Sequence, residues 1–527
     1  MVEIGEIELL LLLLLLLIVG FGLLAQRFGT PYPIVMVIGG LLLSLVPGIP
    51  RVSLNPDIVF LVVLPPLLYA AAWTTSWRDF RYNIVSILLL AFGLVAFTVA
   101  GVALVAPRVF PGFDWRLGFA LGAIVAPTDA IAAASVARRL GLPRRIVYVL
   151  EGESLINDAS GLLALQFATA ILVQGKTPTI AGGAATLAWL VVGGIAMGLV
   201  CALIVEWIER HIDDAPIEIA LSIVVPYSVY LAAEKVHASG VLAVVACGLY
   251  LSRASSRFFS PTVRLRAWSV WESLDFVLNG FVFVVIGLQL PSILAGIKEY
   301  SLSELISYAA VFGALLILLR LLWVYPGATV AWFLRCRVLG QHETFPQLRS
   351  IFVLGWTGMR GVVSLAAALA LPAALANGTP FPQRDLILFL TFSVLFLTLV
   401  GQGLTLPPLI RSLGLAGAAG PDCEEFEARR IVAEAAITYL EGARQSDREE
   451  FAETYDDLIH HYTQRLESLE LEDESGGHHR HEALALEALR VERETAIRLR
   501  DEGRIHDKVL RQIEHELDLS ESNLRKR

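Results

Sequence analysis

The chain has 527 residues, 56% of them hydrophobic and 17% charged, with a mean hydropathy of +0.65. Soluble domains carry about 25% charged residues, so an ordinary soluble enzyme is excluded, as are a disordered chain and a collagen-like repeat. The net charge of −9 is uneven: from Pro421 to Arg527 there are 28 acidic and 16 basic residues, a net −12, and the preceding part is slightly basic. A membrane body over 1–415 and an acidic, soluble helical domain over 416–527 are therefore expected.

A bilayer core about 30 Å thick takes roughly 20 apolar residues per helix. On that measure the body holds about thirteen runs, near 6–25, 33–47, 57–75, 84–107, 117–137, 146–174, 181–207, 217–234, 238–252, 268–290, 304–333, 350–371 and 386–410. Leu9 to Leu17 in the first run mimic a signal peptide, but Glu3, Glu6 and Glu8 make the preceding stretch acidic rather than basic. A retained first span is expected. Loops after odd-numbered runs hold 15 Lys and Arg and loops after even-numbered runs hold 7. By the positive-inside rule the odd loops are cytoplasmic, which puts the N-terminus outside and the tail inside. Cys201, Cys247, Cys336 and Cys423 have no spacing that suggests disulfides or a metal site.

An ionisable group at bilayer depth costs at least a few kcal/mol, so each needs a partner or a role. The fifth run reads Ala126-Pro127-Thr128-Asp129-Ala130. Proline removes a backbone donor and disrupts the preceding turn, freeing carbonyls beside polar side chains. The sixth reads Glu151-Gly152-Glu153-Ser154-Leu155-Ile156-Asn157-Asp158. At about 100° per residue, Ser154 and Asp158 share one stripe of the helix, and Glu153 and Asn157 form a second alongside. Packing between helices explains a serine or an asparagine; it does not explain two buried carboxylates.

In the eleventh run Arg320 stands among leucines, too deep to snorkel and always charged. Glu153 is its expected partner, leaving Asp158 free to exchange a ligand; a helix end or Asp275 are the alternatives. The twelfth run is interrupted at Gly355-Trp356-Thr357-Gly358-Met359-Arg360-Gly361. If runs 1–6 and 8–13 are two halves, both interruptions fall in the fifth helix of a half, the pointer to an inverted-repeat transporter with its site at mid-membrane. Asp129 would then offset the positive ends of the half-helices and Arg360 the negative ends. In the tail, Glu424–Glu441 and His481–Arg511 read as helices with polar faces, divided at Gly476-Gly477. His478, His479 and His481 fit a solvated loop better than a metal site.

With Leu64-Pro65-Pro66-Leu67-Leu68, Pro127-Thr128-Asp129, Glu153-Ser154-x-x-Asn157-Asp158, Arg320 and Gly358-Met359-Arg360-Gly361 in this order, the chain resembles the monovalent cation:proton antiporter-1 family, in its bacterial form with a cytosolic tail. The resemblance implies an all-α polytopic protein of thirteen helices in two inverted repeats, with helices 5 and 12 broken. It also implies a homodimer in the bacterial cytoplasmic membrane and no cofactor beyond transported Na⁺ and H⁺. Asp158, Ser154, Thr128 and Asn157 are the implied ion and proton site, with Asp158, Ser154 and the Thr128 backbone ligating Na⁺. Glu153 with Arg320 is the implied structural pair. Asn157 stands where electrogenic relatives carry a second aspartate, which implies electroneutral exchange that regulates cellular pH and sodium. Two departures are Ala70, where many members carry an acid or amide, and Ala130, where the usual motif has proline. The absence of a nucleotide-binding Gly-x-x-x-x-Gly-Lys-[Ser/Thr] motif leaves an ion gradient as the energy source, and nothing suggests a nucleic-acid partner. Alternatives on the same fold are a potassium/proton antiporter and a non-transporting membrane sensor.

Overall fold

The structure is a computed structural model of the chain. It describes residues 4–521 other than 48–54, 175–179, 213, 298, 342–343, 376–378, 418–422, 447–451, 472–476, 503, 505–508, 511–512, 514–515 and 519. The described residues form two compact units, Met1–Ala419 and Gly420–Arg527. Apart from one bridge between Ala374 and Pro380, they are helices and their connections.

The first unit runs α1 (Ile4–Phe28), α2 (Tyr32–Ser44), α3 (Pro56–Thr74), α4 (Trp77–Val109), α5 (Trp115–Val125), α6 (Ile131–Arg139), α7 (Arg144–Gln174) and α8 (Ile180–Glu209). It continues with α9 (Ala215–Lys235), α10 (Gly240–Phe258), α11 (Pro261–Leu288), α12 (Leu290–Gly296), α13 (Leu302–Arg337), α14 (Leu348–Trp356), α15 (Val362–Leu369) and α16 (Arg384–Ser412). Each apolar run of the sequence is found as a helix or as two helical pieces. Among the described residues, eight helices are long and apolar enough to cross a membrane by themselves. Their outward faces carry large apolar side chains such as Trp189, Val192, Trp207 and Leu318, a surface suited to lipid.

Polar caps mark where the chain turns. The Asp114 carboxylate accepts the Leu117 N–H at 2.9 Å, and Ser239 and Ser260 cap α10 and α11 in the same way. Ser301 and Glu304 close a reciprocal capping box at the start of α13, with Ser301 N–H donating to Glu304 Oε2 at 2.8 Å. Each such cap contributes on the order of 1 kcal/mol. α4 begins at Trp77, well before its apolar stretch, because Ser76 caps it through the Asp79 N–H.

Three helices contain π-helical turns, at Val59–Val63 in α3, Leu89–Leu94 in α4 and Leu397–Gln402 in α16. Pro65 cannot donate a backbone hydrogen bond, and the widened turn just before it accommodates that loss. The turn in α4 offers carbonyls to side chains of other helices: Trp323 Nε1 donates to Leu89 O at 3.2 Å and Ser160 Oγ to Ala91 O at 2.5 Å. α2 and α11 pack backbone to backbone. A Cβ at Gly287 would lie 2.6 Å from Leu41 N, so a side chain there would separate the two helices.

The second unit contains α17 (Cys423–Ser446), α18 (Ala452–Leu471) and α19 (Gly477–Asp501). Its surface is laced with ion pairs such as Arg444–Asp456 at 2.8 Å and Arg493–Asp518 at 2.7 Å. One expectation is corrected here. His478, His479 and His481 belong to the first turns of α19 rather than to a loop, since only the residues before Gly477 separate the two helices; their side chains lie outside the described residues.

Candidate functional site: two crossed helix breaks and an unpaired carboxylate

Between α5 and α6 residues 126–130 leave the helical path, and between α14 and α15 residues 357–361 do the same. The breaks meet. Asp129 N–H donates to Met359 O at 2.8 Å, a backbone bond that two intact helices could not form. A Cβ on Gly361 would lie 2.6 Å from Asp129 Cβ, so the approach depends on glycine at that position. Asp129 Oδ1 accepts the Ile131 N–H at 2.8 Å, placing a carboxylate on the positive end of α6, where it is favoured.

α7 runs alongside and presents its two stripes to different surroundings. Glu153 and Asn157 are each 1% exposed and face the first break. Thr128 Oγ1 donates to Glu153 Oε1 at 2.8 Å, and Asn157 Nδ2 lies 2.9 Å from Thr128 O and 2.8 Å from Thr128 Oγ1. Asn157 thus fastens the unwound segment, and the Thr128 carbonyl already carries one hydrogen bond; its second lone pair remains. The sequence had placed Asn157 in the ion site, but its side chain turns to the break and does not line the cavity described below. Ser154 Oγ accepts the Ala130 N–H at 3.3 Å. Asp158, half-buried on the same stripe as Ser154, has no hydrogen-bond or ion-pair partner among the described residues.

Arg320, 2% exposed, forks onto Glu153, with Nη1 2.6 Å from Oε1 and Nη2 2.9 Å from Oε2. The pairing is bidentate, the geometry for which guanidinium is suited. The same Nη2 donates to Leu354 O at 3.2 Å, in the last turn of α14. One arginine therefore joins α7, α13 and the carbonyl end of a half-helix. That end was expected to be offset by Arg360, but the donor that reaches it is Arg320. Arg360 is 3% exposed, and its backbone N–H donates to Thr398 Oγ1 at 3.1 Å. Its Nε and Nη1 have no hydrogen-bond partner among the described residues.

Asp158 opens onto a cavity of about 730 Å³, lined also by Thr128, Asp129 and Ser154. The cavity reaches Thr74, Arg138 and Arg264, which are exposed at helix ends, so it is open at one end. Ala70 lines it from α3, and the Arg138–Glu151 ion pair borders it.

Several features escaped the sequence reading. Asp275, Asn279 and Ser364 line the same cavity. The sequence offers Asp275 as an alternative partner for Arg320, and its charge in an apolar run is the signal that could have marked it. Ser364 and Asn279 gave none, because single small polar residues in a membrane helix are unremarkable. Glu206, Glu209 and Glu218 form a buried acidic group at the facing ends of α8 and α9, where Glu206 Oε2 accepts from Tyr250 Oη at 2.7 Å.

Comparison with known proteins identifies the family. Residues 11–412 match the family described as "Sodium/hydrogen exchanger, transmembrane". The chain is 32% identical over 508 residues to the sodium, potassium, lithium and rubidium/H⁺ antiporter of Bacillus pumilus, with 94% of this chain and 74% of that protein covered. It is 32% identical over 414 residues to the Na⁺/H⁺ antiporter ApNhaP of Aphanothece halophytica, covering 78% and 75%. The sodium proton antiporter MjNhaP1 of Methanocaldococcus jannaschii has a similar fold, with a TM-score of 0.63 at 21% identity, covering 80% of this chain and 100% of that one. A match to the family over most of its length, on a polytopic helical body, shows that the chain belongs to the sodium/hydrogen exchanger family of multi-pass membrane transporters.

Proposed function

We propose that the protein exchanges Na⁺ for H⁺ by alternating access, with Asp158 as the group both ions occupy in turn. The observation that carries this is the contrast on α7 between Glu153, locked to Arg320, and Asp158, without a partner at the inner end of an open cavity. A small hard cation needs several oxygens to replace its water. Asp158, Ser154, the remaining lone pair of the Thr128 carbonyl and waters supply them. The unwound segment at 126–130 keeps its backbone groups beside this point, and Asn157 steadies it.

Bare, the Asp158 charge opposes passage of its surroundings through the hydrocarbon; neutralised by a cation or a proton, it does not. That single condition couples the two fluxes without separate gates. Thirteen crossings are proposed, counting α5 with α6 and α14 with α15 as one each, in two inverted halves joined by α8. The protein is placed as a homodimer in the cytoplasmic membrane, with the start of α1 outside and the second unit inside. Thr74, Arg138 and Arg264 lie at ends assigned to the cytoplasm by the distribution of basic residues, so the conformation is read as inward-open. Electroneutral stoichiometry is proposed because the second stripe carries the amide of Asn157 rather than a carboxylate.

A broader alkali-cation range has one observation in its favour. Ala70 lines the cavity without a carboxylate, which relaxes the coordination that would favour Na⁺ over K⁺.

The test is Asp158→Asn in proteoliposomes. ΔpH-driven sodium uptake is expected to fall to background while the purified variant elutes and melts like the parent. Uptake at the parental rate would refute the proposal.

A further inference from the structure

We propose a second cation station in the same cavity, built from Asp275 and Asn279 of α11 and Ser364 of α15. It rests on the exchange reading of Asp158 and adds a place where an incoming monovalent cation sheds water before reaching that carboxylate.

Asp275 lies midway along α11 and lines the cavity without an ion-pair partner among the described residues. A carboxylate held inside an apolar helix at that depth calls for a counter-ion or a proton. Two buried polar groups accompany it. Asn279, one turn further along the same face, is 3% exposed, and its side-chain amide is within reach of the Asp275 carboxylate. Ser364 is 1% exposed, and its Oγ has no hydrogen-bond partner among the described residues. Both line the cavity. Buried polar side chains are nearly always hydrogen-bonded, so the orphaned Ser364 hydroxyl, on the same cavity as a carboxylate without an ion-pair partner, marks a place that is complete only when something polar occupies it.

Sign and position agree. Asp129 lines the same cavity as Asp275, so two carboxylates border the volume between α11 and the crossed breaks. The cationic side chains lining the cavity, Arg264 and the Glu151-paired Arg138, are exposed towards its open end. Ala70 brings no carboxylate from α3, and Asp275 brings one from α11. A hydroxyl and a carboxylate suit a partly hydrated alkali cation. They are too few to dehydrate it fully, which fits a waiting position rather than a final one.

The experiment measures equilibrium binding of radiolabelled sodium to the purified full-length protein in a scintillation proximity assay, together with exchange in proteoliposomes. Asp158→Asn is expected to retain weak, saturable sodium binding that disappears in the Asp158→Asn/Asp275→Asn double variant. Asp275→Asn alone is expected to raise the apparent sodium KM about tenfold, with a smaller change in maximal rate, the signature of lost ground-state binding. Asp275→Glu should recover most of the affinity, and Ser364→Ala should give a smaller rise in KM, which covers the case in which Asp275→Asn fails to fold. An Asp158→Asn protein that binds no sodium, or an unchanged KM in the Asp275 and Ser364 variants, would overturn the second station. Undiminished exchange by Asp158→Asn would instead sink the primary reading, so the two failures are distinguishable.

Discussion

Glu153 and Asp158 are five positions apart on one helix, in opposite electrostatic situations. Glu153 is held by both nitrogens of the Arg320 fork and by the Thr128 hydroxyl, whereas Asp158 lines an open cavity. Removing one partner of a buried pair leaves the other charge uncompensated. Arg320→Ala is therefore expected to lower stability by about 3–5 kcal/mol, read as a drop in the melting temperature of the purified protein. Arg320→Lys should recover only part of this, because an ammonium cannot make the two parallel bonds. On the exchange reading proposed above, Asp158 instead governs competition between ligands. Protons and sodium share one carboxylate, so lowering the pH fills it with protons and raises the apparent sodium KM. Where the protonated form dominates, the rise should be about tenfold per pH unit by mass action, measured by initial rates of exchange at fixed sodium gradients. A KM independent of pH would mean that the two ions bind at different groups.

At the scale of elements, the two breaks act as one object. The Asp129 N–H to Met359 O bond and the approach of Gly361 to Asp129 join them, and Arg320 ties the end of α14 to α7. Gly361→Ala would push a methyl group into the Asp129 side chain. Overpacking of this kind costs about 1–3 kcal/mol, and it would also part the breaks. The expected outcome is a modest fall in melting temperature with a much larger fall in exchange rate; an active Gly361→Ala protein would show that the crossing need not be tight. Gly358 is under a similar constraint, since a Cβ there would collide with Arg320 Cδ. The π-helical turns serve the same assembly. The one in α16 contains Thr398, whose hydroxyl accepts the Arg360 N–H, and the one in α4 receives Ser160 from α7.

At the scale of the molecule, the proposal of a single exchangeable charge at Asp158 predicts a one-for-one trade of ions. Exchange in proteoliposomes is expected to be unaffected by a membrane potential clamped with potassium and valinomycin, as long as the pH gradient is fixed. A rate that follows the clamped voltage would assign a second charge to the cycle and overturn the inference from Asn157. The second unit carries most of the negative charge of the chain and is a compact helical body of its own.

Hydrophobicity and charge are local properties, so the sequence by itself determined the membrane body, the approximate course of its helices and the places where they break. Pro127, and the glycines around Arg360, weaken the helix where they stand, although Pro226 and Pro326 lie inside unbroken helices. The stripes of α7 were legible for the same reason, because helical periodicity sorts side chains before any neighbour is known. Partners across the fold were not. Arg320 could have met Glu153, Asp275 or a helix end, and it meets both Glu153 and the end of α14. Asn157 turned from the ion site to the Thr128 backbone, and Asp275 and Ser364 joined the cavity from distant segments. Only tertiary structure decided these, because which buried polar groups satisfy one another depends on distances between helices far apart in the chain.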